Sequence, residues 1–223
     1  MQNNIFVENE TIANKVTNRL RDDIISKKIG IGSRITIKDI SNMYGVSETP
    51  VREAFRTLEG ENLLEILPYK GATVLRVDET FVRETYEILS ALEDLIYETA
   101  LPALNDEILD RIREINLQIR NLTETGNLDG YTDLNTLFHH EIMRYGNNKK
   151  AYDYYQYLHK LIYTLRRNYC PDIARIRCAA DQHDELIQSL EAKDLAWIHK
   201  ITTRHMQDAC RNLIEIMNVV ETK

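Results

Sequence analysis

The chain has 223 residues, 43% of them hydrophobic, with eight glycines and four prolines, which excludes a disordered tail and favours long helices in one large or two small domains. Its net charge of −7 is unevenly placed: residues 1–75 hold ten Lys/Arg and ten Asp/Glu, whereas residues 76–223 hold eighteen and twenty-five. The acidity therefore does not exclude a nucleic-acid partner, because DNA contact needs a local basic surface and not a basic protein; an ordinary acidic protein fits these totals equally.

In chain order, Ile12, Val16, Leu20 and Ile24 recur every four residues and predict a helix over 11–26 with one apolar stripe. The glycines of KKIGIGSR break it. A short helix is expected over 37–44, and Gly45 is a turn. A second helix is expected from Thr49–Pro50, with Thr as N-cap and Pro at the first helical position, stopping near Asn62. Its apolar face is Val51, Ala54, Phe55 and Leu58. LLEIL-PYKG-ATVLRV then reads as a β-hairpin.

Beyond Val77 the chain becomes helical, over about 79–101, 106–125, 129–145, 149–168, 173–191 and 195–219. Breaks fall at Pro102, Gly126, 146–148, Cys170–Pro171 and 193–194. The expected architecture is mainly α: a winged helix-turn-helix over residues 1–77 and an antiparallel bundle of six or seven helices over 78–223.

Cys170, Cys178 and Cys210 are widely spaced without a CxxC pair, and read as reduced thiols. The first ten residues show no signal-peptide pattern, and no apolar run is long enough for a membrane span. The expectation is a cytoplasmic protein without a membrane partner.

Helix, tight turn, helix, hairpin is the order that lays a second helix in the DNA major groove. On that helix Arg52 and Arg56 lie one turn apart, opposite the apolar face. Ser47 and Thr49 stand at its entrance, where hydroxyls and free N–H groups meet phosphate. Lys70 and Gly71 mark the hairpin tip, glycine allowing close backbone approach to a groove. By periodicity alone, the two arginines fit a merely solvated helix face as well.

All six histidines lie beyond residue 138. His139, His183 and His205 sit on apolar faces of three predicted helices, while His140, His159 and His199 have more polar neighbours. One such histidine is ordinarily a hydrogen-bonded core residue. Three, with Asn135 one turn before His139, also suit a divalent metal in a helical bundle. Spacing does not show that the helices meet.

The stretch GVSETPVREAFRTLEGENLL…LPYKGATV resembles the DNA-binding domain of the GntR family of regulators, matching at Gly45, Val46, Ser47, Pro50, Val51, Arg52, Glu53, Ala54, Leu58, Glu59, Leu63, Pro68, Gly71 and Val74. The resemblance implies operator contact through Arg52, helped by Ser47, Thr49 and the Gly71 wing tip, with Arg34, Lys38, Glu48, Arg56 and Lys70 completing the DNA-binding set. Glu48 stands where the family has a basic residue and can accept from cytosine N4, predicting an altered operator. Lys38 replaces an Arg, keeping the charge without the bidentate fork, and Asn62 replaces a Gly.

LNTLFHHEIMRYGNN and QHDELIQSLEAKD resemble motifs of the FCD ligand-binding domain found in the FadR subgroup of that family, and His205 falls in register eleven residues after Asp194. The resemblance implies a divalent metal, Zn²⁺ or Ni²⁺, on Asn135, His139, His183 and His205, with a small effector beside it. Asn135 replaces an Asp, weakening the donor set, and Leu89 replaces an Arg that would pair with an acidic effector, favouring a sugar derivative or another less charged metabolite. It further implies a homodimer on a pseudo-palindromic operator, repressing transcription. Two alternatives stand beside this: a three-His hydrolase with Glu141 or Glu185 as general base, and a helical protein serving only association.

Overall fold

The computed structural model describes residues 11–30, 32–61, 63–75, 77–169 and 171–221; Asn62 and Cys170, singled out in the sequence, lie outside them. Contacts divide the chain into two compact units, Met1–Val77 and Asp78–Lys223.

The first unit opens with α1 (Ile12–Ile25), whose N-cap Thr11 accepts from the Asn14 N–H at 3.1 Å. Val16, Leu20 and Ile24 are buried, but Ile12 is 63% exposed, so the apolar stripe begins one turn later than expected. In α2 (Ile37–Tyr44), Thr36 and Asp39 form a reciprocal capping box. Gly45, at φ +67°, ends α2 in the left-handed conformation that glycine adopts without a Cβ clash, and makes the tight turn into α3 (Glu48–Gly60).

The N-cap of α3 is Ser47, not Thr49, and Pro50 is already the third helical residue. The first-turn N–H groups of a helix have no internal partner, so proline is tolerated there and does not mark the start. Val51, Ala54, Phe55 and Leu58 are buried against α1 and the strand β2 (Leu64–Leu67). A buried bidentate pair joins α1 to the end of α3: Arg21 Nε and Nη2 donate to Glu61 Oε2 and Oε1, each at 2.6 Å.

The hairpin of β2 and β3 (Gly71–Val74) forms in the register Leu64↔Val74 to Leu67↔Gly71. A third strand unseen in the sequence, β1 (Arg34–Ile35), pairs with β3 on its other side. Two residues carry no readable alternation; β1 exists because β3 offers it an edge. The same pairing explains Gly71: a Cβ there would lie 2.2 Å from the Ile35 carbonyl oxygen, at φ +91°. Its immediate demand is thus internal packing.

The second unit begins at Asp78, whose carboxylate accepts from the Phe81 N–H at 3.0 Å and caps α4 (Glu79–Ala100). A short 3₁₀ turn, Leu101–Ala103, holds the expected break at Pro102. Then come α5 (Asp106–Thr125), α6 (Tyr131–Met143), α7 (Lys149–Asn168), α8 (Ile173–Glu191) and α9 (Leu195–Glu221). Helix α4 packs on α6, α7 and α9, α5 on α6 and α8, and α8 on α9. Leu89, Ile96, Ile112, Ile119, Phe138 and Ile176 fill the core at no more than 1% exposure each. Cys178 and Cys210 are free thiols. No described helix is long and apolar enough to cross a membrane.

Candidate functional site

Two arrangements gather the side chains singled out in the sequence, one in each unit. In the first unit, a groove of about 560 Å³ runs between α3 and the hairpin. Arg34, Lys38, Glu48, Arg52, Arg56, Lys70 and Gly71 all line it, five cations against one carboxylate. Ser47 and Thr49 are exposed on the adjoining first turn of α3. The Ser47 side chain makes no capping hydrogen bond, leaving the helix N-terminus open to an anion.

Two contacts within this groove were not legible in the sequence. Arg34 Nε donates to the Lys70 carbonyl oxygen at 2.7 Å, so this arginine holds the hairpin tip with part of its fork. Arg52 Nη2 donates to Glu48 Oε2 at 2.7 Å. The Glu48 carboxylate, expected to accept from a cytosine, is paired with Arg52 in this DNA-free structure. Between them, at the tip, Tyr69 is fully exposed at φ +62°.

In the second unit, α6, α8 and α9 bring His139, His183 and His205 together, with one nitrogen from each lying within 4.8 Å of the other two. Ring centroids are 4.9–5.2 Å apart. The Phe138 ring stacks on His183 at 3.8 Å and seals one side. Asn135 is buried one turn before His139, accepting from Tyr131 Oη at 3.3 Å, and lines the same small cavity as His139 and His205.

The outer nitrogens are committed. Asn116 spends its amide N–H groups on the Ala180 carbonyl and on Asp184, so its oxygen accepts from His183 Nδ1 at 3.1 Å. Gln182 donates to Asp208, so its oxygen accepts from His205 Nδ1 at 2.9 Å. His139 Nδ1 faces Tyr97 Oη at 2.9 Å and Glu93 Oε1 at 3.2 Å. Protons on Nδ1 leave the Nε2 lone pairs of His183 and His205 free, and the His183 Nε2 is buried without a partner. Burial, followed by the neighbouring imidazoles, pushes the pKa values of His183 and His205 well down, keeping both neutral. Neutral, inward-facing imidazoles are what a divalent cation requires. The donor set fits a borderline metal such as zinc or nickel, with Asn135 a weak oxygen donor beside it.

The cavity beside the cluster measures about 20 Å³, room for about one water. Two of its walls escaped the sequence reading. His159, expected in polar surroundings, stacks on Tyr155 at 5.3 Å and lines the cavity, where burial lowers its pKa to about 3. Arg166 also lines it, donating from Nε to Tyr86 Oη at 2.8 Å. Burial works against the Arg166 charge, but the oxygens of Tyr86 and Tyr131 outweigh it and raise its pKa. Arg166 of α7 thus places a cation on the wall of the cavity that Leu89 also lines. Only helix packing reveals this, since Leu89 and Arg166 are 77 residues apart.

Residues 12–74 match the family described as bacterial regulatory proteins, gntR family, and residues 84–208, more than half the chain, match the FCD domain. The chain belongs to the GntR family. Among relatives, this GntR protein is 24% identical over 197 residues to the HTH-type transcriptional repressor RspR of Escherichia coli, covering 88% of this chain and 86% of the relative. Its fold is similar to that of E. coli McbR/YncC, with TM-score 0.70, 22% identity and coverage of 92% and 98%. It is also similar to the metal-free FCD domain of TM0439, with TM-score 0.53, 20% identity and coverage of 65% and 99%.

GntR membership sets aside the hydrolase alternative. Its two candidate bases are also badly placed: Glu141 is paired with Arg111 and Arg144, Glu185 is paired with Arg204, and neither lines the cavity.

Proposed function

We propose that this GntR protein is a homodimeric repressor whose grip on a pseudo-palindromic operator is set by a small metabolite bound beside a divalent metal. The observation that carries the reading is the groove, where Arg34, Lys38, Arg52, Arg56 and Lys70 converge beside the open N-terminus of α3. Arg52 and Arg56 read base edges, Lys38 and Lys70 meet phosphates, and the hydroxyls of Ser47 and Thr49 anchor the helix entrance. Glu48 tunes Arg52, and Gly71 shapes the wing tip.

In the second unit, His139, His183 and His205 hold the metal, zinc or nickel, with Asn135 as a weaker fourth donor. Held there, the metal would supply Lewis-acid attraction for an oxygen of the effector. Arg166 and His159 shape the rest of the pocket, so the effector is a chelating metabolite carrying an acceptor for the guanidinium.

A 20 Å³ cavity admits nothing larger than water, so such a ligand selects a wider form of the bundle. Tyr86, Leu89 and Glu93 of α4 form part of the wall, and α4 begins at Glu79, capped by Asp78, the first residue of the second unit. Widening the pocket displaces the helix that leads out of the DNA-binding unit, which is the proposed coupling route. Coupling of this kind amounts to about 1–3 kcal/mol.

Operator fragments selected from genomic DNA test the reading by fluorescence anisotropy at fixed salt. Arg52→Ala should cost about 1–3 kcal/mol at one operator position with the fold intact. Equal affinity of wild type and variant for every sequence would leave only the association protein. Elemental analysis, without chelator or affinity nickel, should find one ion per chain, lost in His139→Ala/His183→Ala. Equal operator affinity with and without a saturating pocket ligand would end the proposed regulation.

A further inference from the structure

Glu93 is fully buried on α4, at 0% exposure, beside His139 of the histidine cluster. Its Oε1 lies 3.2 Å from His139 Nδ1 and accepts from Tyr155 Oη at 3.2 Å. Its Oε2 is buried without a hydrogen-bond partner. The one ion-pair partner found for this carboxylate among the described residues is His139. An isolated carboxylate is expensive to bury, so this one calls for positive charge nearby.

The histidine cluster has the opposite imbalance. Three imidazoles and the Asn135 amide offer a divalent cation no formal negative charge. Glu93 and Asn135 line the same cavity. A carboxylate on the outer nitrogen of a metal-ligating histidine fixes its tautomer and raises its basicity.

Resting on the metal reading proposed above, we infer that Glu93 is a positioning residue that supplies, through His139, the negative charge that Asn135 does not. It is not itself a ligand: its oxygens are outside the group of ligand atoms lying within 4.8 Å of one another, and its nearer oxygen sits against His139 Nδ1. Tyr97 and Tyr155 hold it in place, Tyr97 Oη approaching the same His139 nitrogen at 2.9 Å. The cation and the carboxylate thereby neutralise one another across one imidazole.

The test is a metal titration of the full-length apoprotein with zinc or nickel against a chromophoric chelator, alongside circular dichroism. Glu93→Gln should weaken metal binding about 10–100-fold without changing the helical spectrum. Adding Asn135→Asp to Glu93→Gln should restore most of that loss by returning a carboxylate to the cluster. Unchanged affinity in Glu93→Gln overturns the inference while leaving the metal reading intact. A loss that Asn135→Asp does not rescue overturns it too, since it marks Glu93 as a packing residue. Wild-type protein that takes up no metal overturns both.

Discussion

Glu48 and Arg52 are joined across one turn of the recognition helix, Arg52 Nη2 donating to Glu48 Oε2 at 2.7 Å. Both side chains are more than half exposed, so the pair contributes little to stability, about 0.5 kcal/mol or less. On the proposed reading its consequence lies in recognition, the carboxylate restraining the guanidinium before DNA arrives and repelling phosphate. Glu48→Ala should strengthen binding to non-operator DNA and reduce the preference for the operator. Anisotropy titrations on both DNAs at two salt concentrations measure this, and an unchanged ratio would refute it.

Tyr69 holds a left-handed backbone conformation at the exposed hairpin tip. A residue with a Cβ is strained there by about 1 kcal/mol, whereas glycine is not. Tyr69→Gly should therefore leave the protein as stable as wild type or stabilise it, by up to about 1 kcal/mol, although an aromatic ring is lost. A urea unfolding midpoint below that of wild type would show that the ring makes a stabilising contact.

Arg21 and Glu61 form a buried two-bond pair at 2% and 3% side-chain exposure. Arg21→Met strands the Glu61 carboxylate in the core and should destabilise the first unit by about 3–5 kcal/mol. Hydrogen exchange resolves this by unit: amides of α1 and α3 should lose protection while those of α5 and α8 keep theirs. Uniform loss across both units would contradict it.

Three buried histidines of the second unit, His159, His183 and His205, have pKa values lowered by burial, His159 to about 3. Their native forms stay neutral at a pH where the unfolded chain, with histidines near the ordinary 6.5, takes up protons. For His159 the stabilisation is complete above about pH 6.5 and is lost as pH falls toward 3, by up to about 1.4 kcal/mol per pH unit, and His183 and His205 act in the same direction. Metal-free protein should lose urea resistance between pH 7 and pH 5, and His159→Phe should flatten that fall. A midpoint independent of pH over this range would rule it out.

The local structure of the first unit was legible because it obeys short-range rules. The period of four in α1, the αL turn at Gly45 and the apolar face of α3 are each settled within a few residues. The start of α3 was misread because proline fits any first-turn position, and only the backbone distinguishes Ser47 from Thr49 as cap. The motif around His139 and His183 fixed which histidines to watch, since helical spacing puts Asn135 beside His139.

The sequence alone determined the helices, the hairpin and the identity of the chemistry-bearing residues, because periodicity, capping and motif act over one or two turns. Tertiary structure alone decided what those residues face. Strand β1 depends on an edge offered by β3, and Gly71 on a carbonyl of that strand. Glu93 meets His139 across 46 residues and Asn116 meets His183 across 67, distances at which no local pattern carries information. Likewise, Arg166 joins Leu89 on one cavity wall, because such a wall is assembled by packing between helices and not by neighbours along one.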